Sequence, residues 1–276
     1  MNLLKQKINL LKQEQEQELE QKNINTILFD FGGTLDSDGI HSRHLFFNIF
    51  QKQFNFSMNY WKIFQDAYSF ADQTINNEGL VVKLDLKGMN YIFVLLIVSN
   101  LNRRGDTQFA NKATKRDIDT ITTNITKIQS YYLRRNKKII KHLNNCSQFK
   151  NRLGIISNFS GNLEIILEQF NLRSLFKVVI DSHYTGLQKP DQKIFKLGLK
   201  SFSPIADAEE AIYIGDNIER DILPAKKIKM HTILISNKNK NEFSNKDLKI
   251  LNQNKKTLVL NHLYKINNLL YSSATP

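Results

Sequence analysis

The chain has 276 residues, of which 41% are hydrophobic and 24% are charged, and these values are typical of a folded globular protein. They disfavour disorder or coiled coil throughout, and the length is sufficient for one large domain or for a core with a smaller insertion. There are 39 Lys and Arg against 26 Asp and Glu, so the formal net charge is +13. This surplus favours anionic partners, which include nucleic acid, membrane surfaces and small anionic molecules.

The single cysteine, Cys146, excludes an intramolecular disulfide and a zinc site built on several thiolates. This scarcity fits a reducing compartment, so a cytoplasmic location is predicted and Cys146 is interpreted as a buried or idle thiol. The start of the chain is too rich in Glu and Gln for a signal peptide. The longest apolar run, 91–98, is far shorter than the roughly 20 residues of a spanning helix, so no membrane span is predicted.

The first 22 residues place Leu4, Ile8 and Leu11 at helical spacing among polar residues. This pattern predicts an N-terminal helical arm (1–22) that is either solvated or an oligomer contact. An apolar run at 26–29 then ends in Asp30 and a pair of glycines, which is typical of a buried parallel strand entering a tight loop. Long amphipathic helices follow and predict a separate helical unit over 41–147. These helices are predicted at 45–54, 59–70, 91–101 and 117–143.

Strands and helices alternate through the remainder of the chain. Strands are predicted at 153–156, 177–180, 211–214, 232–235 and near 258, and helices at 163–170, 192–199, 222–229 and the C-terminal end. This alternation predicts an α/β fold, with a parallel sheet covered by helices on both faces. In such sheets, ligands bind beyond the carboxyl ends of the strands.

The residues that follow the predicted strands form a coherent chemical set. In chain order, they are Asp30, Ser157, Asn158, Lys189, Asp216 and Asp221. Two carboxylates at this edge can hold Mg²⁺, which prefers oxygen ligands. The hydroxyl, the amide and the amine supply the donors and the positive charge that a phosphoryl group requires.

The segments ILFDFGGTLDSDG, GIISN, GLQKPDQKIF and YIGDNIERD, in this order and separation, resemble the four motifs of the haloacid dehalogenase-like (HAD) superfamily. Most members of this superfamily are Mg²⁺-dependent phosphatases. The resemblance implies a Rossmann-like core over 23–40 and 148–276 and an inserted α-helical cap domain over 41–147. It also implies a small phosphorylated substrate and an aspartyl-phosphate intermediate.

By motif position, Asp30 matches the nucleophile of the superfamily. Ser157 matches the hydroxyl that binds the transferring phosphoryl group, and Lys189 matches the amine that neutralises its charge. The resemblance therefore implies that Asp30, Ser157 and Lys189 are catalytic. It further implies a substrate-binding set of Gly33, Thr34, Ser157, Asn158 and Lys189.

The same correspondence implies a metal site. Asp216 matches the acidic ligand and Asp221 supports the metal or the lysine. The main-chain carbonyl two residues after the nucleophile, here that of Gly32, matches a further ligand beside Asp30. The structural alternative for these acidic residues is a loop position that caps the next helix, with Asp221 facing solvent.

The chain departs from the superfamily at Gly32, where phosphatases usually carry a second Asp as general acid and base. Such groups contribute about 10² to 10⁴-fold to rate, so turnover is expected to suffer unless another group substitutes. Asp36, Asp38, His41 and His44 follow closely and are candidates. Each also has an ordinary interpretation, as a turn, helix-cap or helix residue.

Gly32 leaves three functions open. The first is a phosphatase, and the second is a catalytically weak or inactive protein that acts in binding or as a scaffold. The third is a phosphonate-cleaving enzyme, which would need an unidentified lysine from the cap. Basic residues are scattered over cap and core with little aromatic interleaving, which disfavours a nucleic-acid site and favours a field that attracts phosphorylated small molecules.

Overall fold

The structure of the protein is a computed structural model. It describes residues 23–104, 113–237, 243–244, 246–247, 250–251 and 257–266. The predicted arm at 1–22 lies outside the described residues, as does most of the last predicted helix. Among the helices that are described, none has both the length and the apolar character that crossing a membrane requires.

Six parallel strands form one sheet in the order β3-β2-β1-β4-β5-β6. They are β1 (Thr26–Phe29), β2 (Leu153–Ser157), β3 (Val178–Asp181), β4 (Ala211–Gly215), β5 (His231–Ile235) and β6 (Thr257–Leu260). Nearly every residue of these strands is buried, as expected of a parallel sheet covered on both faces. The strand order is that of a Rossmann-like sheet, so the predicted fold class is confirmed.

Four helices lie between β1 and β2 and form the helical insertion. They are α1 (Ser42–Phe54), α2 (Trp61–Glu78), α3 (Leu86–Arg103) and α4 (Lys115–Asn145). Helix α3 begins five residues before the predicted start at 91, because Asp85 caps it by accepting from the Gly88 amide at 2.8 Å. Helix α4 begins at a capping box in which Thr114 and Asp117 bond to each other's backbone amides.

Four shorter helices connect the later strands. They are α5 (Leu163–Gln169), α6 (Ser182–Thr185), α7 (Gln192–Lys200) and α8 (Leu223–Lys227). The helix predicted at 222–229 is instead a π-helical turn, Ile218–Ile222, followed by α8. The chain turns earlier than expected because the Asn217 side chain accepts from the amides of Glu219 and Arg220.

The two faces of the sheet are packed differently. Ile27 and Phe29 face a core that continues into the helical insertion, whereas Leu28 faces a smaller core that includes α7. This alternation follows from the two-residue period of a strand. The insertion is thus joined to the sheet by continuous apolar packing, which places its helices beside the carboxyl ends of the strands.

Candidate active site

Polar residues from three adjacent strands meet at the carboxyl edge of the sheet. Asp30 follows β1, Ser157 is the last residue of β2, and Asp216 follows β4. Because β1 lies between β2 and β4, these side chains are neighbours. The Asp30 amide donates to the Ile214 carbonyl at 2.8 Å, which fixes Asp30 against β4.

Lys189 lies at the centre of the cluster and contacts two carboxylates. Its Nζ is 2.7 Å from Asp30 Oδ1 and 2.6 Å from Asp221 Oδ1, and it donates to the Tyr213 hydroxyl at 3.0 Å. Burial alone would favour the neutral amine, but the carboxylates of Asp221 and Asp30 outweigh it and raise the pKa of Lys189. Lys189 is therefore an ammonium group at neutral pH.

The loops that carry these groups are tied to one another. Asn158 Nδ2 donates to the Lys189 carbonyl at 2.9 Å, and the Lys189 amide donates to Asn158 Oδ1 at 2.8 Å. Ser157 Oγ and the Phe31 amide both donate to Asp30 Oδ1, at 2.9 and 2.8 Å. Ser157, Asn158 and Lys189 are thus brought to Asp30 as the sequence predicts, although Asn158 acts here on the loop backbone.

Asp30, Asp216 and Asp221 form an acidic cluster. One carboxylate oxygen from each lies within 4.8 Å of the others. Asp216 Oδ1 is inaccessible to solvent and has no hydrogen-bond partner. Burial, together with the charges of Asp221 and Asp30, raises the pKa of Asp216 well above its usual range. A carboxylate oxygen that lacks a hydrogen-bond partner and lies among three carboxylates fits a hard divalent cation such as Mg²⁺.

Asp221 is almost fully buried, so the solvent-facing alternative for this residue is wrong. Its Oδ1 contacts Lys189, and its Oδ2 accepts from the Asn217 amide at 3.0 Å. Burial raises its pKa, and the charge of Lys189 opposes that shift. Both carboxylate oxygens of Asp221 accept contacts, and one of them holds Lys189 in place. Asp216 Oδ1, in contrast, has no hydrogen-bond partner.

The two glycines after Asp30 have different surroundings. Gly33 has a φ of +89°, and a Cβ there would collide with the Asp216 carboxylate. Its amide donates to Asp36 Oδ1 at 2.7 Å. Thr34 is fully buried. In this arrangement Gly33 and Thr34 shape the loop, and their binding of substrate stays a prediction.

Gly32 faces open space. A Cβ at this position would meet only Ser42 Oγ, at an ordinary contact distance of 3.6 Å. The position where relatives of the superfamily carry the acid and base is therefore empty but large enough for a side chain.

Asp36 and Asp38 are buried in hydrogen-bond networks, and of the two only Asp36 lines the cavity that contains Asp30. Asp36 accepts from Ser37 Oγ at 2.7 Å and from Gln129 Nε2 on α4 at 2.8 Å, and burial raises its pKa. Asp38 lies 2.7 Å from Arg135 Nη2 and 2.8 Å from His262 Nδ1. Both carboxylates join the loop after β1 to other elements, which their proximity in sequence does not reveal.

His41, the residue before α1, lines the cavity that contains Asp30, whereas His44 on α1 does not. His41 Nε2 is 2.6 Å from Arg220 Nη2, and burial together with the charges of Arg220 and Arg43 lowers the pKa of His41 to about 3. His41 is therefore neutral at pH 7 and can accept a proton but is not a general acid. His44 packs against Trp61, with ring centroids 4.5 Å apart, and does not line the cavity that contains Asp30.

A cavity of about 380 Å³ opens above Asp30 between the sheet edge and the insertion. Core residues in its wall include Asp30, Gly32, Ser157, Asn158 and Lys189. Several other polar residues of the wall have no role predicted from the sequence. These are Arg43, Tyr68, Asp72, Asn76, Asn90, Gln129 and Arg220.

A second cavity, of about 560 Å³, adjoins the first at His41 and Arg43. Its wall includes Asp216 together with aromatic side chains of the insertion, such as Trp61. The acidic cluster is thus reached from two sides. Among the described residues that line the first cavity, Lys189 is the only lysine, so the described part of the insertion supplies no amine for Schiff-base chemistry there.

Comparisons with solved structures support the same fold. A dehalogenase solved as an intermediate complex aligns with a TM-score of 0.56 and 11% identity, covering 90% of this chain and 98% of that one. A HAD-hydrolase of Bacillus subtilis, YfnB, solved bound to magnesium, aligns with a TM-score of 0.50 and 18% identity over 90% of this chain and 98% of that one. Identities this low show the fold alone.

Sequence comparison finds relatives over a shorter stretch. The haloacid dehalogenase-like hydrolase domain-containing protein 3 of Bos taurus is 36% identical over 96 residues, which is 34% of this chain and 37% of the relative. The glyceraldehyde 3-phosphate phosphatase of Pyrococcus abyssi is 42% identical over 86 residues, 30% of this chain and 34% of the relative. The matched segment therefore spans little more than a third of either relative.

The profile of one family matches most of the chain. The haloacid dehalogenase-like hydrolase profile aligns with residues 27–235, a range that includes β1, the helical insertion and strands β2 to β5. This range contains every residue of the acidic cluster and Lys189. The chain belongs to the haloacid dehalogenase-like hydrolase family.

Proposed function

We propose that the protein is a Mg²⁺-dependent phosphatase that hydrolyses a small phosphorylated metabolite through an aspartyl-phosphate on Asp30. The observation that carries this proposal is the convergence of Ser157 Oγ and Lys189 Nζ on Asp30, at 2.9 and 2.7 Å, beside the acidic cluster. Relatives named as glyceraldehyde 3-phosphate phosphatases support the choice of a phosphate ester.

Asp30 is oriented for attack by the contacts of one oxygen. The Phe31 amide, Ser157 Oγ and Lys189 Nζ all contact Oδ1, which leaves Oδ2 as the attacking oxygen. Attack by Oδ2 on phosphorus forms an acyl phosphate and breaks the bond to the leaving alcohol. A water molecule then hydrolyses the acyl phosphate, releasing inorganic phosphate and restoring the carboxylate.

Lys189 and Ser157 serve the transferring group directly. The Lys189 ammonium offsets its negative charge, and Ser157 Oγ can turn from Asp30 to donate to a phosphoryl oxygen. Asp216, Asp30 and the Gly32 carbonyl would hold Mg²⁺. When bound, Mg²⁺ stabilises the charge that develops on the transferring phosphoryl group.

Proton transfer to the leaving alcohol is the weak point of this site. Gly32 has no side chain, Asp36 is occupied by Gln129, and His41 is neutral at pH 7. We therefore expect the protein to favour substrates with good leaving groups. We further propose that the insertion, 41–147, acts as a cap that excludes water and supplies the substrate-contacting wall.

The missing acid favours a second candidate function, a weak or inactive protein that binds phosphorylated ligands without efficient turnover. The two functions differ at the covalent step. Beryllium fluoride with Mg²⁺ mimics an aspartyl-phosphate, so a live nucleophile predicts a rise in melting temperature that Asp30→Asn abolishes. Phosphonate cleavage is not proposed, because the described cavity wall lacks the additional lysine.

The proposed function is tested by a phosphometabolite panel that includes p-nitrophenyl phosphate, a substrate with a good leaving group. We expect turnover that requires Mg²⁺, is lost with EDTA, and falls at least about 10⁴-fold in Asp30→Asn, since that variant lacks the nucleophile. Asp119→Asn, an exposed carboxylate on α4, is the matched control and should retain full activity. Equal rates in Asp30→Asn and wild type would contradict the proposal.

A further inference from the structure

Two arginines from distant parts of the chain line the cavity that contains Asp30. Arg43 is the second residue of α1, in the insertion, and Arg220 lies in the π-helical turn after β4. The arrangement of Asp30, Ser157 and Lys189 requires neither of them. Their placement in the same wall therefore calls for a separate explanation.

Neither guanidinium group forms an ion pair with a carboxylate of the described residues. Arg43 Nε is inaccessible to solvent and has no hydrogen-bond partner, and its guanidinium carbon lies 5.5 Å from the centre of the Tyr68 ring. Arg220 Nη2 contacts His41, which is neutral.

Asp72 is the acidic residue of the insertion that lines this cavity. Its carboxylate interacts electrostatically with both Arg220 and Arg43, while its side chain accepts from Asn76 Nδ2 at 3.3 Å. Asp72 therefore offsets part of the positive charge of the two arginines without forming an ion pair with either guanidinium group. The N–H groups of Arg43 and Arg220 that have no partner within the protein are therefore available to a ligand.

The chemistry of these donors selects an anion. A guanidinium group presents a planar fork of N–H donors that matches a carboxylate or a phosphate, and buried donors without partners are costly unless a ligand satisfies them. The cavity of about 380 Å³ falls in the range of about 300 to 1,000 Å³ seen for small-molecule sites. It has room for a leaving group as well as for the phosphoryl group at Asp30.

We propose that Arg43 and Arg220 form an anion subsite that binds a second negatively charged group of the substrate, on its leaving-group side. This inference rests on the proposed phosphatase function and narrows its substrate class. The preferred substrates are phosphate esters that carry a carboxylate or a further phosphate, and esters of neutral alcohols are poor substrates. Arg220 joins this subsite to the acidic cluster, because it interacts electrostatically with Asp221, Asp30 and Asp216.

The test compares phosphate esters that differ at one group, which is anionic in one member of each pair and a hydroxyl in the other. One arm compares 3-phosphoglycerate with glycerol 3-phosphate, and the other compares fructose 1,6-bisphosphate with fructose 6-phosphate. In Arg43→Gln we expect kcat/KM to fall about 10- to 100-fold for the member that carries the second anionic group and less than about twofold for the member that carries a hydroxyl group there. The arm with the larger loss identifies the second group as a carboxylate or a phosphate.

Two further variants separate binding from folding. Arg43→Lys keeps the positive charge but lacks the planar guanidinium group. We therefore expect an intermediate loss of kcat/KM for the substrate that carries the second anionic group. Arg104→Gln, at the exposed C-terminal end of α3, is the matched control and should leave the ratio of the two kcat/KM values unchanged. Arg220→Gln should lower the same ratio as Arg43→Gln. A general catalytic defect would instead lower both kcat/KM values alike and leave their ratio unchanged.

Binding to Asp30→Asn protein distinguishes failure of this inference from failure of the proposed function. Calorimetry should show 3-phosphoglycerate binding at least about tenfold more tightly than glycerol 3-phosphate, and Arg43→Gln in the same background should remove the difference. That result supports the subsite even if the wild-type protein turns over no substrate. Equal affinities, or equal losses for both ligands in Arg43→Gln, would overturn it.

Discussion

The strand-end cluster and the wall that faces it differ in how their charges are matched. Around Asp30, the Lys189 ammonium is within 2.7 Å of two carboxylates and donates to Tyr213 as well. On the wall, Arg43 Nε has no hydrogen-bond partner and Arg220 contacts a neutral imidazole. The first region is internally satisfied, apart from Asp216 Oδ1, and the second is not.

This difference separates chemistry from recognition. Groups that act in a reaction gain most when they are fixed before the ligand arrives, because no reorganisation is then needed during the reaction. Groups that recognise a ligand gain most when their donors are open to it. Under the proposed function, the sheet edge supplies the reaction, and the wall formed with the insertion supplies the choice of substrate.

The largest effect is expected from Lys189→Met in the strand-end cluster, which we call the matched region because its charges are paired. Removing one partner of a buried ion pair leaves the carboxylates of Asp30 and Asp221 uncompensated, which costs about 3 to 5 kcal/mol of unfolding free energy. Denaturant titration measures this loss, and turnover of p-nitrophenyl phosphate should fall at least about 10³-fold. Lys193→Met, at an exposed position of α7, is the control. A variant as stable and active as wild type would show that the charges are not coupled.

Gly32→Asp should sharpen the comparison by adding a reactive group between the two regions. The backbone accommodates a Cβ, which would meet only Ser42 Oγ at 3.6 Å, and Gly32 lines the cavity into which the rest of the side chain would extend. A restored general acid should raise kcat at least about tenfold for substrates with poor leaving groups, with little change for p-nitrophenyl phosphate. Steady-state kinetics on both substrate types check this, and an equal change for both would argue against a role in proton transfer.

Asp216→Asn removes the carboxylate whose Oδ1 has no hydrogen-bond partner in the matched region. Because the folded pKa of Asp216 is raised, its contribution to stability is complete below about pH 4 and is lost as the pH rises through the elevated value. Metal-free wild type should thus lose stability as the pH rises above about 4, and the variant should lose less. At pH 8 in EDTA we expect the variant to be more stable by about 1 to 3 kcal/mol.

Mg²⁺ provides the opposite check on the same residue. It should raise the melting temperature of wild type and have a much smaller effect on Asp216→Asn, because the open oxygen is lost. Asp119→Asn should respond to pH and Mg²⁺ as wild type does. An identical Mg²⁺ response in Asp216→Asn would contradict the assignment of the metal site.

The matched region was predictable from the sequence because its residues follow strands. Once Asp30, Ser157 and Asp216 are assigned to strand ends, the parallel sheet brings them to one edge whatever the details of the helices. Lys189 and Asp221 belong to the same set of strand-end residues, and the resemblance to a known family then implied their roles. What remained unpredicted in this region was local, such as the π-helical turn that begins after Asn217.

The wall was not predictable in the same way. Helical periodicity shows which side of a helix is buried, but not which other helix or loop that side meets. Gln129 and Asp36 are 93 residues apart and form a hydrogen bond that no spacing rule connects. Arg220 lies within a recognised motif and Arg43 shortly after another, yet their shared cavity becomes visible only when the helices are packed.

The most direct test of the central claim is to trap the phosphorylated enzyme. Wild-type protein is mixed with Mg²⁺ and a turned-over substrate, quenched in acid, digested and measured by mass spectrometry. The account predicts one phosphoryl group on the peptide that contains Asp30, acid-stable and lost on treatment with hydroxylamine, and none in Asp30→Asn. Substrate turnover with a phosphoryl group on another residue, or persisting in Asp30→Asn, would contradict it.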